Sequence, residues 1–287
     1  MGSNVGQPAT DDDTPSGTRP ALFEVSGDAH LATEWCRSPW DRHSSHGGPM
    51  AILSARLSET IPSLAPMTPV RMSMDLMGRV PLHAPLLAST RILREGRRVQ
   101  LVQVELTDES GTTMVTSRIL RIRTADVELP PDVADFEGDR RGPELPSSPT
   151  PTPPRSRKLI AFNNDGIEFA SAHRTFGEGA GPNHMWCRLA VPVVAGETPT
   201  AFERAAAASD FGNGMSSALP FEGWLFINND VTLVLHRLPV GEWVHLQSST
   251  FVEPSGSGAS DCVLSDRLGR IGRTHQILLV DQQQQRG

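Results

Sequence analysis

Two sets of alternating or near-continuous apolar runs organise the chain. The first set is PVRMSMDLMGRV, PLLASTRILREG, RRVQLVQVELTD and TTMVTSRILRIR; the second is DVTLVLHRL, EWVHLQSSTFVEP, GASDCVLSD and RIGRTHQILLV. Side chains of a strand alternate between faces, so each run predicts a strand and each set predicts a four-strand antiparallel meander. The last two strands of each set are joined by Asp-x-x-Gly, at Asp108–Gly111 and Asp266–Gly269. That spacing suits a tight hairpin whose glycine takes the positive φ. Ahead of each meander one helix is expected, over GGPMAILSARLSETI and over TAFERAAAASDFGNGMSS, with a short strand before each, near LFEVS and near HMWCRLAVPVV.

The two sets are related by a constant offset of 158 residues. Arg79, Pro81, Glu95, Leu106, Asp108 and Gly111 coincide with Arg237, Pro239, Glu253, Leu264, Asp266 and Gly269. Thr116, Ile119 and Leu120 coincide with Thr274, Ile277 and Leu278, which makes nine identities in 44 positions and points to an internal repeat. One helix followed by a long antiparallel meander, twice over, is an α+β arrangement in which each sheet curls round its helix. The alanine run at 205–208 fits this reading, because small side chains let a helix lie close inside a curled sheet. Its interruption by Ser-Asp-Phe-Gly-Asn-Gly is the anomaly, since glycine costs a helix roughly 1 kcal/mol against alanine.

Composition divides the chain further. Residues 1–20 are polar and acidic and read as a disordered arm, 126–157 as a Pro-rich linker, and 282–287 as a tail. The repeats are then 21–125 and 158–281. The net charge of −7 argues against a nucleic-acid partner. No apolar run reaches the roughly 18 residues of a membrane helix, and the N-terminus has no signal-peptide pattern, so a cytoplasmic location is expected. Cys36, Cys187 and Cys262 lie far apart and read as reduced thiols.

HSSHGGPMAILSARL with RILREGRRVQLVQVELTDESG resembles the first half of the acyl-CoA thioesterases of type II. ASDFGNGMSS, INNDVTLVLHRLPVGEWVHLQSST and DRLGRIGRTHQ resemble their second half. The resemblance covers about 20–125 and 182–281, and implies a tandem (double) hotdog fold. It also implies hydrolysis of acyl-CoA thioesters by a positioned water, with no metal, no cofactor and no covalent intermediate. Carried over by position, the water-activating Asp falls on Asp210 and the Gln on Gln276. The family's hydroxyl position falls on Asn228, which has no hydroxyl but both donates and accepts hydrogen bonds. Thr232, one strand repeat further and on a like-facing side, is the nearest hydroxyl.

A thioester needs little beyond a base, a group to aim the water and donors for the oxyanion, because a thiolate leaves readily. Asp210 at a helix break would be the base. The N–H groups of Gly47 and Gly48, opening the first helix, would face the oxyanion, with His46 beside them in the substrate-binding group. Arg94, Arg97 and Arg98 form a small basic cluster that could meet CoA phosphates, although a solvated hairpin is its default reading. Asp41, His43 and His46 are too few and too local for a convincing metal site, so none is assigned. GEGAGP lacks the strand and helix a dinucleotide loop needs, and no G-x-S-x-G appears. Trp186, Trp224 and Trp243 read as core. Exposed sheet edges invite a homo-oligomer without fixing its number. The competing readings are a hotdog hydratase or lyase with His46 as base, and a non-hydrolytic acyl-thioester-binding protein.

Overall fold

The computed structural model describes residues 21–130, 141–147, 159–171, 174 and 180–283. The predicted N-terminal arm, most of the Pro-rich linker and the last residues of the tail lie outside the described residues. The first half contains β1 (Phe23–Ser26), β2 (Ala29–Ala32), α1 (Gly47–Glu59), β3 (Met67–Leu76), β4 (Pro85–Arg94), β5 (Val99–Thr107) and β6 (Thr113–Arg123). The second contains β7 (Ile167–Ala170), β8 (Asn183–Leu189), α2 (Ala201–Ala208), α3 (Gly212–Ser216), β9 (Trp224–Asn228) and β10 (Asp230–Leu235). It closes with β11 (Val244–Val252), β12 (Ser257–Asp266) and β13 (Gly269–Gln282). Every predicted strand and both helices are present; β2, β7 and β9 are additional.

The strands form one 13-stranded antiparallel sheet in the order β1-β2-β4-β5-β6-β3-β10-β13-β12-β11-β8-β7, with β9 also paired to β13. Read from either end, each half places its strands in the same succession, and β3 and β10 pair at the junction. Buried positions alternate along β5 and β12, as period-two patterning requires.

Strands β4 and β5 keep the 158-residue offset to β11 and β12, Thr90 pairing with Val104 and Ser248 with Cys262, but the last strand does not. Val102 pairs with Ile119, whereas its counterpart Ser260 pairs with Gln276. Gln276 therefore occupies the place of Ile119, and the expected equivalence of Ile119 with Ile277 is off by one residue. Ile119 is fully buried while Ile277 is 54% exposed. The hairpins explain the slip: Thr107 pairs with Thr113 across a longer loop, whereas Asp266 pairs with Gly269 across Arg267 and Leu268 alone. Both hairpin glycines adopt the predicted positive φ, 84° at Gly111 and 116° at Gly269.

α1 is buried along most of its length, so it shows little amphipathic contrast. The second helix breaks as its sequence suggests. A capping box of Thr200 and Glu203 starts α2, the alanines run to Ala208, and a non-helical step at Ser209–Phe211 precedes α3. The two long helices pack side by side and antiparallel. Thr200 at the start of α2 donates to Glu59 at the end of α1 at 2.8 Å, and Arg56 pairs with Glu197. Their opposite ends bring Gly47 against Asp210. Ala51 and Ala55 of α1 and Ala205 and Ala206 of α2 are all fully buried. Each helix is also tied to the last strand of its own half. Ser117 bonds Ser54 at 2.8 Å, and Thr274 donates to the carbonyl of Ser209 at 3.0 Å.

Of the three tryptophans expected in the core, only Trp186 is buried there. Trp224 packs half-buried against a small cluster of Phe226, Leu278 and Val280, and Trp243 lies under the Arg188 guanidinium, 5.0 Å from its ring centroid. The three cysteines are free and buried, and burial pushes the Cys262 thiol up to about 12. Among the described residues no helix is long and apolar enough to cross a membrane.

Candidate active site

The break between α2 and α3 points the carboxylate of Asp210 into the interior, where its side chain is 1% exposed. Its two oxygens have separate surroundings. Oδ1 accepts from Gln276 Nε2 at 2.8 Å and from Asn228 Nδ2 in a very short bond. Oδ2 lies 2.8 Å from His46 Nδ1 and takes no hydrogen bond from any other described residue.

Each partner is positioned by the fold around it. Gln276 sits at an inward position of β13, and its Oε1 accepts from the backbone N–H of Asn213 at 3.1 Å in α3. Its Nε2 also reaches the Asp210 carbonyl at 3.3 Å, so both ends of the amide are held. Gly212 allows this closeness, because a Cβ there would stand 3.1 Å from Gln276 Oε1 and 2.8 Å from Ser260 Oγ.

Asn228 reaches the site because the strand bulges beside it. Asn228 pairs with Leu278 and Thr232 pairs with His275, so one extra residue is accommodated around Asn229. The bulge reverses the facing of everything after it. Asn228 thus points inward, while Thr232 lies beside Ser73 and His275 on the face opposite Gln276. Four-residue spacing along an unbroken strand would have put Asn228 and Thr232 on one face. The bulge removes Thr232 from the site.

His46 is the N-cap of α1, its Nδ1 accepting from Gly48 N–H at 3.1 Å. The same nitrogen lies 2.8 Å from Asp210 Oδ2, so the imidazole and the carboxylate stand in direct contact. The imidazole packs against both Phe162 and Phe211, with ring centroids 5.5 and 5.4 Å away, and those two rings also touch each other at 5.6 Å. These aromatics were not anticipated as part of the site. The only signal for them was the placement of Phe211 next to Asp210.

The two glycines have different reasons. A Cβ on Gly47 would come within 2.8 Å of Asp210 Oδ2, so glycine is required for the carboxylate to sit against the helix. A Cβ on Gly48 would lie 2.6 Å from Phe162, and its N–H is already taken by His46. Of the two, only the Gly47 N–H, first in the helix and without an intrahelical partner, makes no hydrogen bond with another described residue.

Arg94, Arg97 and Arg98 are exposed in the β4–β5 hairpin. That hairpin sits at the C-terminal end of α1, where Gln100 donates to the Pro62 carbonyl at 2.8 Å. A 13-residue helix is about 20 Å long, so these arginines lie a helix length from Gly47. Asp41, His43 and His46 do not converge either. Asp41 accepts from His43 N–H and Ser44 Oγ within its own loop, whereas His46 turns to Asp210.

Residues 36–122 match the model of the acyl-CoA thioesterase N-terminal domain, and residues 131–280 match that of the acyl-CoA thioesterase C-terminal domain. The chain belongs to the acyl-CoA thioesterase family. It is a thioester hydrolase. Solved structures share its fold at low identity. A protein provisionally named thioesterase II from Thermobifida fusca is 18% identical with a TM-score of 0.63, over 90% of this chain and 94% of that one. An acyl-CoA thioesterase II from Mycobacterium marinum is 12% identical with a TM-score of 0.60, over 92% and 96%. A hot dog fold protein of unknown function from Alicyclobacillus acidocaldarius is also 12% identical, with a TM-score of 0.63 over 90% and 95%. No curated protein sequence matches the chain.

Proposed function

We propose that this chain hydrolyses acyl-CoA thioesters by direct attack of water, activated by Asp210 and with no covalent intermediate. The observation that supports this most is the division of labour at Asp210. Oδ1 is saturated by the amides of Gln276 and Asn228, which leaves Oδ2, beside Gly47 and His46, as the basic oxygen. The water oxygen forms a bond to the thioester carbonyl carbon while its proton passes to Asp210 Oδ2. The resulting oxyanion is received by the Gly47 N–H at the positive end of α1. Collapse breaks the C–S bond, and the CoA thiolate leaves, taking up the proton that Asp210 accepted.

Asn228 stands in for the family's hydroxyl in this scheme. Its Nδ2 is used on Asp210, and its carbonyl oxygen is the acceptor that aims the water. The matching strand succession of the two halves, with one long helix in each, supports a duplicated hotdog unit whose sheet curls round its helix. A CoA carrier suits the net charge of −7 better than an acidic carrier protein does.

The test is free-thiol release from short, medium, long and aromatic acyl-CoAs, comparing the native chain with Asp210→Ala. Release should fall about 1,000-fold or more in the variant, equivalent to about 4 kcal/mol. Equal release by both chains would remove Asp210 from the mechanism. Addition of water to an enoyl-CoA double bond, with no thiol released, would favour the hydratase reading instead.

A further inference from the structure

A second concave site lies beside the start of α1, outside the catalytic group. It has a volume of about 340 Å3, and its wall includes Arg37, Arg42, His43 and His83 together with Pro81 and Leu82. Three separated segments build it. Arg37 and Ser45 are bridged, Ser44 pairs with Pro81, and Leu82 N–H donates to the His43 carbonyl at 3.0 Å. Four side chains able to carry positive charge line this cavity, and no carboxylate does.

Their donors are largely uncommitted. Arg37 is anchored, its Nε donating to the Arg42 carbonyl at 3.1 Å and its Nη1 to the Ile160 carbonyl at 2.6 Å. The side chains of Arg42, His43 and His83 form no hydrogen bond or ion pair with any described residue. The nearby acid, Asp41, is occupied by His43 N–H, Ser44 Oγ and Arg79. His83 is held in left-handed backbone, φ 58°, the only non-glycine residue so placed among the described residues. A hydrogen bond from its N–H to the Ala32 carbonyl at 2.8 Å maintains that conformation. A non-glycine residue in left-handed backbone is strained, and this one stands at the cavity wall.

We propose that this cavity binds the phosphate groups at the nucleotide end of the acyl-CoA, a reading that rests on the hydrolysis of acyl-CoA proposed above. Guanidinium and imidazole donors suit phosphate oxygens, and the Pro81–Leu82 wall suits the face of an adenine. The reach is also right. From Arg42 to His46 the chain spans at most about 14 Å, and a pantetheine arm is about as long as four extended residues, roughly 15 Å. The thioester at Gly47 and the phosphates at Arg42 are therefore within one CoA molecule's length. The arginines of the β4–β5 hairpin, at the far end of α1, are the alternative the experiment must beat.

The experiment compares acyl-CoA with the matching acyl-pantetheine, which has no nucleotide, on three full-length chains. These are the native protein, the exposed pair Arg42→Gln/His43→Gln, and the hairpin triple Arg94→Gln/Arg97→Gln/Arg98→Gln. The preference in kcat/KM for acyl-CoA should fall about tenfold in the pair, through KM, and hold in the triple. Adenosine 3′,5′-bisphosphate should compete with acyl-CoA on the native chain and lose its grip on the pair. An undiminished preference in the pair, or a loss confined to the triple, overturns the proposal. Inhibition of acyl-pantetheine hydrolysis by inorganic phosphate, abolished in the pair, would make the cavity a free-anion site and also overturn it. If no substrate releases thiol, calorimetric binding of adenosine 3′,5′-bisphosphate to the native chain and the pair still decides the cavity on its own.

Discussion

Arg237 and Asp266 form a two-point ion pair in the second half, at 2.5 and 2.7 Å, whereas Arg79 and Asp108 at the matching positions of the first half never meet. Arg79 is largely exposed and reaches only Asp41, at 3.5 Å. Asp108 caps its own loop, accepting from Ser110 and Thr112. The residue types are the same, so the difference comes from the hairpins. The two-residue β12–β13 turn leaves Asp266 at a fully buried strand end within reach of Arg237, while Asp108 stands half-exposed at the start of the longer β5–β6 loop. Burial alone would raise the Asp266 carboxyl, but Arg237 and the amides of Val240 and Leu268 outweigh it and hold it below its ordinary value. A repeated pair of letters is thus a structural device in one half and a surface feature in the other.

The sharpest way to break this comparison is to remove the two acids in turn. Asp266→Ala leaves Arg237 without its partner and should cost about 3–5 kcal/mol in urea unfolding, while Asp108→Ala should scarcely move the transition. Comparable losses from both would contradict the assignment of the ion pair to one half.

A second contrast lies at Leu87 and His245. Leu87 is 42% exposed, whereas His245 is buried against Trp186 and His184, with ring centroids 5.2 and 5.6 Å away. Burial, with a smaller contribution from His184, lowers the His245 pKa to about 4. The unfolded chain therefore binds the proton first, and this contribution is fully present above pH 6.5 and is lost as the pH falls toward 4. It amounts to about 3 kcal/mol between pH 7 and pH 4. His245→Leu, which gives the second half the residue of the first, should flatten that part of the acid limb. An unchanged dependence of stability on pH would locate the acid sensitivity elsewhere.

Ile119 and Gln276 are the contrast that carries chemistry. Gln276→Ile copies the first half into the second, strands the Asn213 N–H and removes one donor from Asp210. Thiol release should fall about 30–100-fold, or 2–3 kcal/mol, with the fold retained by far-ultraviolet dichroism. The mildest change is Asn228→Thr, which restores the family's hydroxyl. It should stay within about fivefold of native turnover, while Asn228→Ala should lose roughly tenfold more. Equal rates for the native, Thr and Ala chains would take Asn228 out of the proposed mechanism.

Much of this was legible along the chain. Period-two runs gave the eight meander strands, the Asp-x-x-Gly turns and the two helices, because burial of one face imposes its spacing directly on the residues. The Asp210 break was visible as a conflict between alanine and glycine propensities. The misreadings share a cause. Thr232 and the Ile119–Ile277 match both assumed an unbroken count along a strand, and a single inserted residue, at Asn229 or in a hairpin loop, reverses which face a side chain takes. Arg94, Arg97 and Arg98 were grouped because they are neighbours in sequence, with no measure of how far α1 would carry them from Gly47.

The sequence by itself determined the class of fold, the two-part succession of elements and the helix break at which Asp210 sits, since these depend on local periodicity and propensity. Tertiary structure decided which groups meet. His46 and Asp210 are 164 residues apart in sequence yet 2.8 Å apart in space, because two antiparallel helices place the start of one against the end of the other. The basic cavity likewise exists only where three short segments are hydrogen-bonded together. Contacts of this kind depend on register and helix direction, which are settled by packing over the whole sheet and leave no periodic mark on the chain.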